Sequence, residues 1–185
     1  MTDNPWNILT TLPAEENLPT WLSQLLSRNA DTAYLRTFGC LRTLQDFRDR
    51  VPTCDYDDVL PYLERVQAGE RDVLFAGPPI AYERTGGSSG GAKLIPYSRE
   101  GLFDFQACIV PWLARTVEHY AITGQAYFSN SPATRQAENI GSVPVGLSDV
   151  DYLGESAGRA LAAMTAVPLE VGAISDLQRW REATI

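Results

Sequence analysis

Between positions 85 and 92 the chain reads Thr-Gly-Gly-Ser-Ser-Gly-Gly-Ala, and Lys93-Leu94-Ile95-Pro96-Tyr97-Ser98 follows at once. Six of these eight residues are Gly or Ser. Glycine lets successive backbone N–H groups turn toward one point, and the hydroxyls of Thr85, Ser88 and Ser89 add further donors, so the segment can wrap an anion. Lys93 closes it with a positive charge, which strengthens such contacts. Pro96 has no N–H and cannot sit inside a helix, so the residues after the loop are extended. Ile80-Ala81-Tyr82-Glu83-Arg84 before it has strand character. The loop is therefore expected to join strand to strand.

Three other readings compete. A nucleotide loop of the form G-x-x-x-x-G-K-[ST] leads into a helix; here Ala92 stands between Gly91 and Lys93, Leu94 follows the lysine, and Pro96 denies the helix. The elbow pattern G-x-S-x-G is present as Gly86-Gly87-Ser88-Ser89-Gly90, but it too needs a helix directly after the serine. Its available partners, Asp104 and His119, share one predicted helix and lie about 22 Å apart, which excludes an elbow using that pair. A plain surface linker accounts for the glycines, though not for Lys93 or the apolar segments on either side.

Around this loop the chain alternates. Trp21, Leu22, Leu25 and Leu26, then Leu41, Leu44, Phe47 and Arg48, recur at helical spacing and predict two amphipathic helices. Thr20 is the expected first N-cap and Gly39 marks the gap. The residue before Pro52 is pushed toward extended angles, and a short helix is predicted from Tyr56 to Ala68, stopped by Gly69. Ser98 is expected to cap a long, mostly buried helix with Phe105, Ile109, Trp112, Thr116 and His119 on one face and a kink at Pro111. Gln125 to Asn130 reads as a buried strand, Gly141 to Gly146 as a loop, Glu155 to Thr165 as helix, Val167 to Val171 as extended and Asp176 to Thr184 as helix. Gly141 to Gly146 with Ser148-Asp149 are candidates for lining a substrate pocket, because glycine turns let a substrate approach closely. The fold class expected is α/β: a helical segment over residues 1–68, then a strand pair and an α/β part over residues 71–185, within a single domain.

Composition narrows the function. The 185 residues carry 15 Lys plus Arg against 23 Asp plus Glu, a formal charge of −8, which disfavours a nucleic-acid partner. No apolar run approaches the roughly 18 residues of a membrane helix, and Met1-Thr2-Asp3-Asn4 lacks the basic start of a secretory signal. No membrane role and a cytoplasmic location are the expectation. Cys40, Cys54 and Cys108 are odd in number and widely spaced, suggesting reduced, structural thiols. A single histidine, His119, removes any metal site built on two imidazoles, and no metal ligand set is assigned.

Residues 84–98 resemble the phosphate motif of the auxin-responsive acyl-acid amido synthetases of plants and their bacterial relatives, a branch of the acyl-adenylate-forming superfamily. That motif runs S-S-G-T-S-x-G-x-x-K, then apolar-apolar-Pro-aromatic-hydroxyl. Thr85 falls on the second serine, Gly86 on the first glycine, Ser88 on the later serine, Gly90 on the second glycine and Lys93 on the lysine, with Leu94-Ile95-Pro96-Tyr97-Ser98 completing it. Arg84 and Gly87 depart from it. Asp46-Phe47 through Val51-Pro52, Tyr56 through Val66 and Gly69-Glu70 are also similar to the family, and Tyr127-Phe128-Ser129 and Val167 through Trp180 more loosely.

The resemblance implies a ligase that uses ATP and Mg2+ to adenylate a carboxylic acid and then joins the acyl group to an amino acid. Thr85, Gly86, Gly87, Ser88, Ser89, Gly90 and Lys93 would hold the nucleotide phosphates, with Lys93 the catalytic counter-charge. It further implies that the adenine- and ribose-binding motifs and a mobile C-terminal domain lie beyond Ile185. The chain is then the N-terminal portion of the enzyme's large domain, completed by a C-terminal polypeptide and inactive for the whole reaction alone. A binding or scaffold remnant of that fold without catalysis, suggested by Arg84 and Gly87, is the alternative.

Overall fold

The computed structural model describes residues 18–85, 93–127, 138–147 and 149–185. Among the described residues, one compact unit is built from Glu16–Gly101 and Asn139–Gly146, the other from Leu102–Glu138 and Leu147–Ile185. The architecture is mixed α/β: seven α-helices among the described residues, with one small sheet.

The first unit opens with α1 (Leu18–Arg28), α2 (Ala33–Arg36) and α3 (Leu44–Arg50). The predicted faces meet: Leu22, Leu26, Leu35 and Leu41 form a buried cluster flanked by Trp21, Leu25, Leu44 and Phe47. Helix α1 begins before Thr20, which is therefore inside the helix and not its cap; Pro19 is tolerated because the first helical N–H groups have no intrahelical partner anyway. Helix α3 starts on a capping box, in which Thr43 Oγ1 accepts from Asp46 N–H and Asp46 Oδ2 accepts from Thr43 N–H, each at 3.0 Å. Helix α4 (Tyr56–Gln67) starts on a second box built by Asp55 and Asp58 and ends where expected, with Gly69 at φ +88°.

From α4 the chain runs through residues 71–77 without regular structure, held by hydrogen bonds that replace a ladder. Asp72 O and Val73 O accept from Ala33 N–H and Tyr34 N–H at 2.8 and 2.9 Å, and Asp72 Oδ1 accepts from Gly77 N–H at 2.7 Å. The last bond accounts for Asp72 adopting φ 57°, since aspartate tolerates the left-handed region when its carboxylate bonds locally.

The sheet has four strands in the order β2-β1-β4-β3: β1 (Ala81–Arg84), β2 (Leu94–Tyr97), β3 (Glu138–Ile140) and β4 (Val143–Val145). Strand β1 is antiparallel to β2, with Tyr82 opposite Pro96, and parallel to β4 at Tyr82 and Val145. Pro96 thus lies on an edge strand, where a missing N–H removes no ladder bond. Tyr82 is 1% exposed in the cluster with Val66, Val73 and Leu94, and its hydroxyl donates to Val66 O at 3.3 Å. Burial pushes the Tyr82 phenol above its ordinary value.

In the second unit, α5 (Arg99–His119) packs on α6 (Asp149–Met164) through Val110, Ala114 and Val117 against Ala157, Ala160 and Met164. This corrects the expected face. Trp112 is 61% exposed and Val110, Ala114 and Val117 take the buried side, because an alanine-rich partner accepts small side chains at close approach. The helix is consequently only partly buried, and Pro111 lies inside it. Helix α6 departs from helical geometry at Gly154 (φ 77°), where a Cβ would stand 3.0 Å from Gln106 Oε1.

Three further expectations are revised. Gly141 to Gly146 contributes a strand, β4, and not only loop. Val167 to Val171 enters a 3-10 helix (Leu169–Ala173) and is not extended. Of the strand expected at Gln125 to Asn130, Ala126 makes a single parallel bridge to Thr165, Tyr127 is exposed and 128–130 lie outside the described residues. The last helix, α7 (Leu177–Thr184), is capped by Asp176. All three cysteines are free and exposed.

Two outcomes follow for stability. Leu26 is 1% exposed at the centre of its cluster, so Leu26→Ala is expected to cost about 2–5 kcal/mol in urea unfolding; a change below about 1 kcal/mol would show the cluster to be loosely packed. The Asp46 carboxyl is held below its ordinary value of 3.8 by the N–H of Arg42 first, then by the Thr43 hydroxyl. Its contribution is therefore complete above the unfolded value and declines as pH falls through the lower folded value. Asp46→Asn is expected to flatten that part of an acid-unfolding profile.

Candidate functional site

The glycine loop leaves the sheet between β1 and β2, so its shape at the neck is set by antiparallel pairing. From the pair Arg84 and Leu94 one more step closes the hairpin: Thr85 N–H donates to Lys93 O at 2.9 Å, and Lys93 N–H donates to Thr85 Oγ1 at 3.3 Å. Thr85 and Lys93 are brought together by these two bonds, as the strand-loop-strand reading expects. Gly86, Gly87, Ser88, Ser89 and Gly90 lie outside the described residues.

The neck is fixed from below. Leu94 is buried beside Tyr82, Val66 and Val73, and Ile80 N–H donates to Tyr97 O at 2.8 Å at the far end of the hairpin. Beyond β2, Ser98 is buried and its Oγ accepts from Gly101 N–H at 2.9 Å, capping α5 as expected. On the other side of β1, Gly146 N–H donates to Tyr82 O at 2.7 Å. The segment proposed for a substrate pocket is thereby tied to the central strand; Ser148 lies outside the described residues.

Lys93 is exposed, and its Nζ stands 4.9 Å from the centroid of the Tyr56 ring. Among the described residues no carboxylate forms an ion pair with it. Tyr56 also reaches β2: its hydroxyl accepts from Leu94 N–H at 3.2 Å and lies 3.4 Å from Leu94 O. Sequence reasoning placed Tyr56 at the start of a helix and in a stretch similar to the family, and gave it no part in the site. Its contact with Lys93 comes from the packing of α4 against the hairpin, and no local spacing signals it.

Among the described residues no group of three or more His, Cys, Asp or Glu side chains is arranged to hold a metal ion. No described helix is long and apolar enough to cross a membrane.

Residues 10–179 match the GH3 family N-terminal domain. The sequence is 39% identical over 92 residues to the probable indole-3-acetic acid-amido synthetase GH3.1 of Arabidopsis thaliana, covering 48% of this chain and 15% of that protein. It is 35% identical over 105 residues to the indole-3-acetic acid-amido synthetase GH3.17 of the same plant, covering 52% and 17%. The fold is similar to that of the GH3.15 acyl acid amido synthetase, with a TM-score of 0.63 at 23% identity over 86% of this chain and 28% of that one. A second structure, AtGH3.15 acyl acid amido synthetase in complex with 2,4-DB, gives a TM-score of 0.57 at 26% identity, covering 76% and 26%. The matched part amounts to about a sixth of the length of these two curated relatives.

Replacing Thr85 by Val removes the acceptor of Lys93 N–H and is expected to speed amide hydrogen exchange at Lys93, while the exchange of Tyr82 in the central strand stays slow. Unchanged exchange at Lys93 would show that the side chain does not close the hairpin.

Proposed function

The chain belongs to the GH3 family and carries its N-terminal domain, and from that premise we propose that it supplies the phosphate-gripping part of an ATP-dependent acyl-acid amido synthetase. The observation that carries the proposal is the closed neck at Thr85 and Lys93, with an exposed ammonium beside a seven-residue segment, residues 86–92, of Gly, Ser and one Ala.

In the first step of such a reaction a carboxylate oxygen attacks the α-phosphorus of ATP, and the bond to pyrophosphate breaks. In the second, an amino acid nitrogen attacks the acyl carbon and AMP leaves. Lys93, Thr85, Ser88 and Ser89, with the amides of Gly86, Gly87 and Gly90, serve the first step. They offer donors to the β- and γ-phosphates, where charge accumulates as pyrophosphate departs. Hydrogen bonds to charged groups are stronger than neutral ones, which suits a loop that must hold a polyanion on a chain of net charge −8. Magnesium is assigned to the triphosphate itself.

The carboxylic acid, the amino acid and a C-terminal polypeptide bearing the rest of the nucleotide site are the proposed partners, in the cytoplasm. The names of the relatives point to an acid of the indole-3-acetic or similar aryl-acyl class. A second reading, a binding remnant without chemistry, is favoured by Arg84 and Gly87, which replace motif hydroxyls.

In a GH3 polypeptide carrying this N-terminal domain, Lys93→Ala is expected to slow carboxylate-dependent exchange of pyrophosphate into ATP by about tenfold or more, the loss of one charge-assisted contact. An unchanged rate would remove Lys93 from the reaction. Nucleotide binding without any exchange in the unsubstituted polypeptide would favour the remnant.

A further inference from the structure

We infer that Tyr56 is a positioning residue for Lys93, holding the ammonium at the mouth of the loop without neutralising it. The inference rests on the phosphate-gripping role proposed above for Lys93.

A lysine on a flexible four-carbon stem is poorly placed by itself, and two kinds of neighbour can hold its head. A carboxylate would do so by cancelling the charge, which defeats a contact meant for phosphate. An aromatic face attracts the ammonium through its quadrupole and leaves the full positive charge. Here the second device is present: Nζ lies 4.9 Å from the Tyr56 centroid, and among the described residues no carboxylate pairs with it. The ring takes one side of the ammonium, and among the described residues no carboxylate pairs with its other N–H donors, which can meet an anion.

The ring is itself fixed relative to the strand that carries the lysine. Tyr56 is the first residue of α4, capped by Asp55, whose Oδ1 accepts from Asp57 and Asp58 N–H at 2.9 and 3.1 Å. Its hydroxyl is bonded to the backbone of Leu94, the residue next to Lys93, at 3.2 Å on the N–H and within 3.4 Å of the carbonyl. Helix start, ring and hydroxyl therefore form one bracket across residues 38 apart in sequence. The hydroxyl holds the ring to β2, and the ring holds the ammonium.

The test uses the 185-residue chain, MgATP and inorganic tripolyphosphate as probes, and a cycle of Tyr56→Leu, Lys93→Met and the double variant. A readout independent of any nucleotide comes from NMR. Protons over a tyrosine face are shifted upfield, so the Lys93 ε-methylene should be displaced in the unsubstituted chain and in Tyr56→Phe, and return to its ordinary position in Tyr56→Leu. Tyr56→Phe should also speed amide exchange at Leu94. In binding, Tyr56→Leu is expected to weaken both probes about threefold to tenfold, and the double variant to bind no more weakly than Lys93→Met, because Tyr56 acts through the lysine.

Additive losses, an unaffected Tyr56→Leu affinity or an undisplaced ε-methylene in the unsubstituted chain would overturn the positioning role and leave the loop reading intact. Full affinity in Lys93→Met, or no binding of either probe to the unsubstituted chain, would overturn the loop reading and the positioning role with it. Should Tyr56→Leu lose the amide spectrum of the folded chain, Tyr56→Phe decides. Faster exchange at Leu94 with the Lys93 ε-methylene still displaced supports the bracket, and unchanged exchange at Leu94 or an undisplaced ε-methylene refutes it.

Discussion

Tyr82 is the point on which the described sheet turns. It occupies the central strand, faces Pro96 on one side and Val145 on the other, and is 1% exposed among Val66, Val73 and Leu94. Its hydroxyl, buried with the ring, is satisfied by Val66 O at 3.3 Å, as burial of a polar group demands. One side chain thus binds the sheet to α4, while its backbone carries the strand before the loop and accepts from Gly146 N–H. The geometry of the loop's neck is a consequence: with β1 and β2 paired in this register, Thr85 and Lys93 must face each other.

Electrostatics makes that local arrangement matter. A chain with a formal charge of −8 offers a polyphosphate no general attraction, so any grip must come from donors at close range, where charge-assisted hydrogen bonds outweigh a distant field screened by salt. An exposed lysine held against an aromatic face, at the end of a glycine- and serine-rich segment, is a way to concentrate such donors. Several of its acidic residues serve helix starts, Asp55 and Asp176 as N-caps and Asp46 in the capping box of Thr43, or surface pairs such as Arg65 with Glu70.

What could be read from the residues alone follows the range of the forces involved. Helix α4 was legible almost to its ends, because the extended bias before Pro52 and the stop at Gly69 are local signals. The strand-loop-strand reading was legible because Pro96 forbids a helix after the loop, and pairing of β1 with β2 bears it out. Strand β4 was not, since Gly141, Pro144 and Gly146 read as a loop and only the distant partner at Tyr82 makes the segment extended. The buried face of α5 was misassigned for a similar reason: aromatic residues weigh heavily in a periodicity, yet the alanines of α6 select Val110, Ala114 and Val117. Lys93 stood out through its motif, whereas Tyr56, its neighbour in space, was marked only by a helix start and a family-like stretch, neither of which ties it to the lysine.

The most direct measurement is a titration of the isotopically labelled chain with MgATP, following every backbone amide by NMR. Gripping of the polyphosphate predicts saturable shifts concentrated from Thr85 through Lys93, reversed by excess inorganic tripolyphosphate. Shifts centred elsewhere with that segment silent, or no shift at all at millimolar nucleotide, would contradict it.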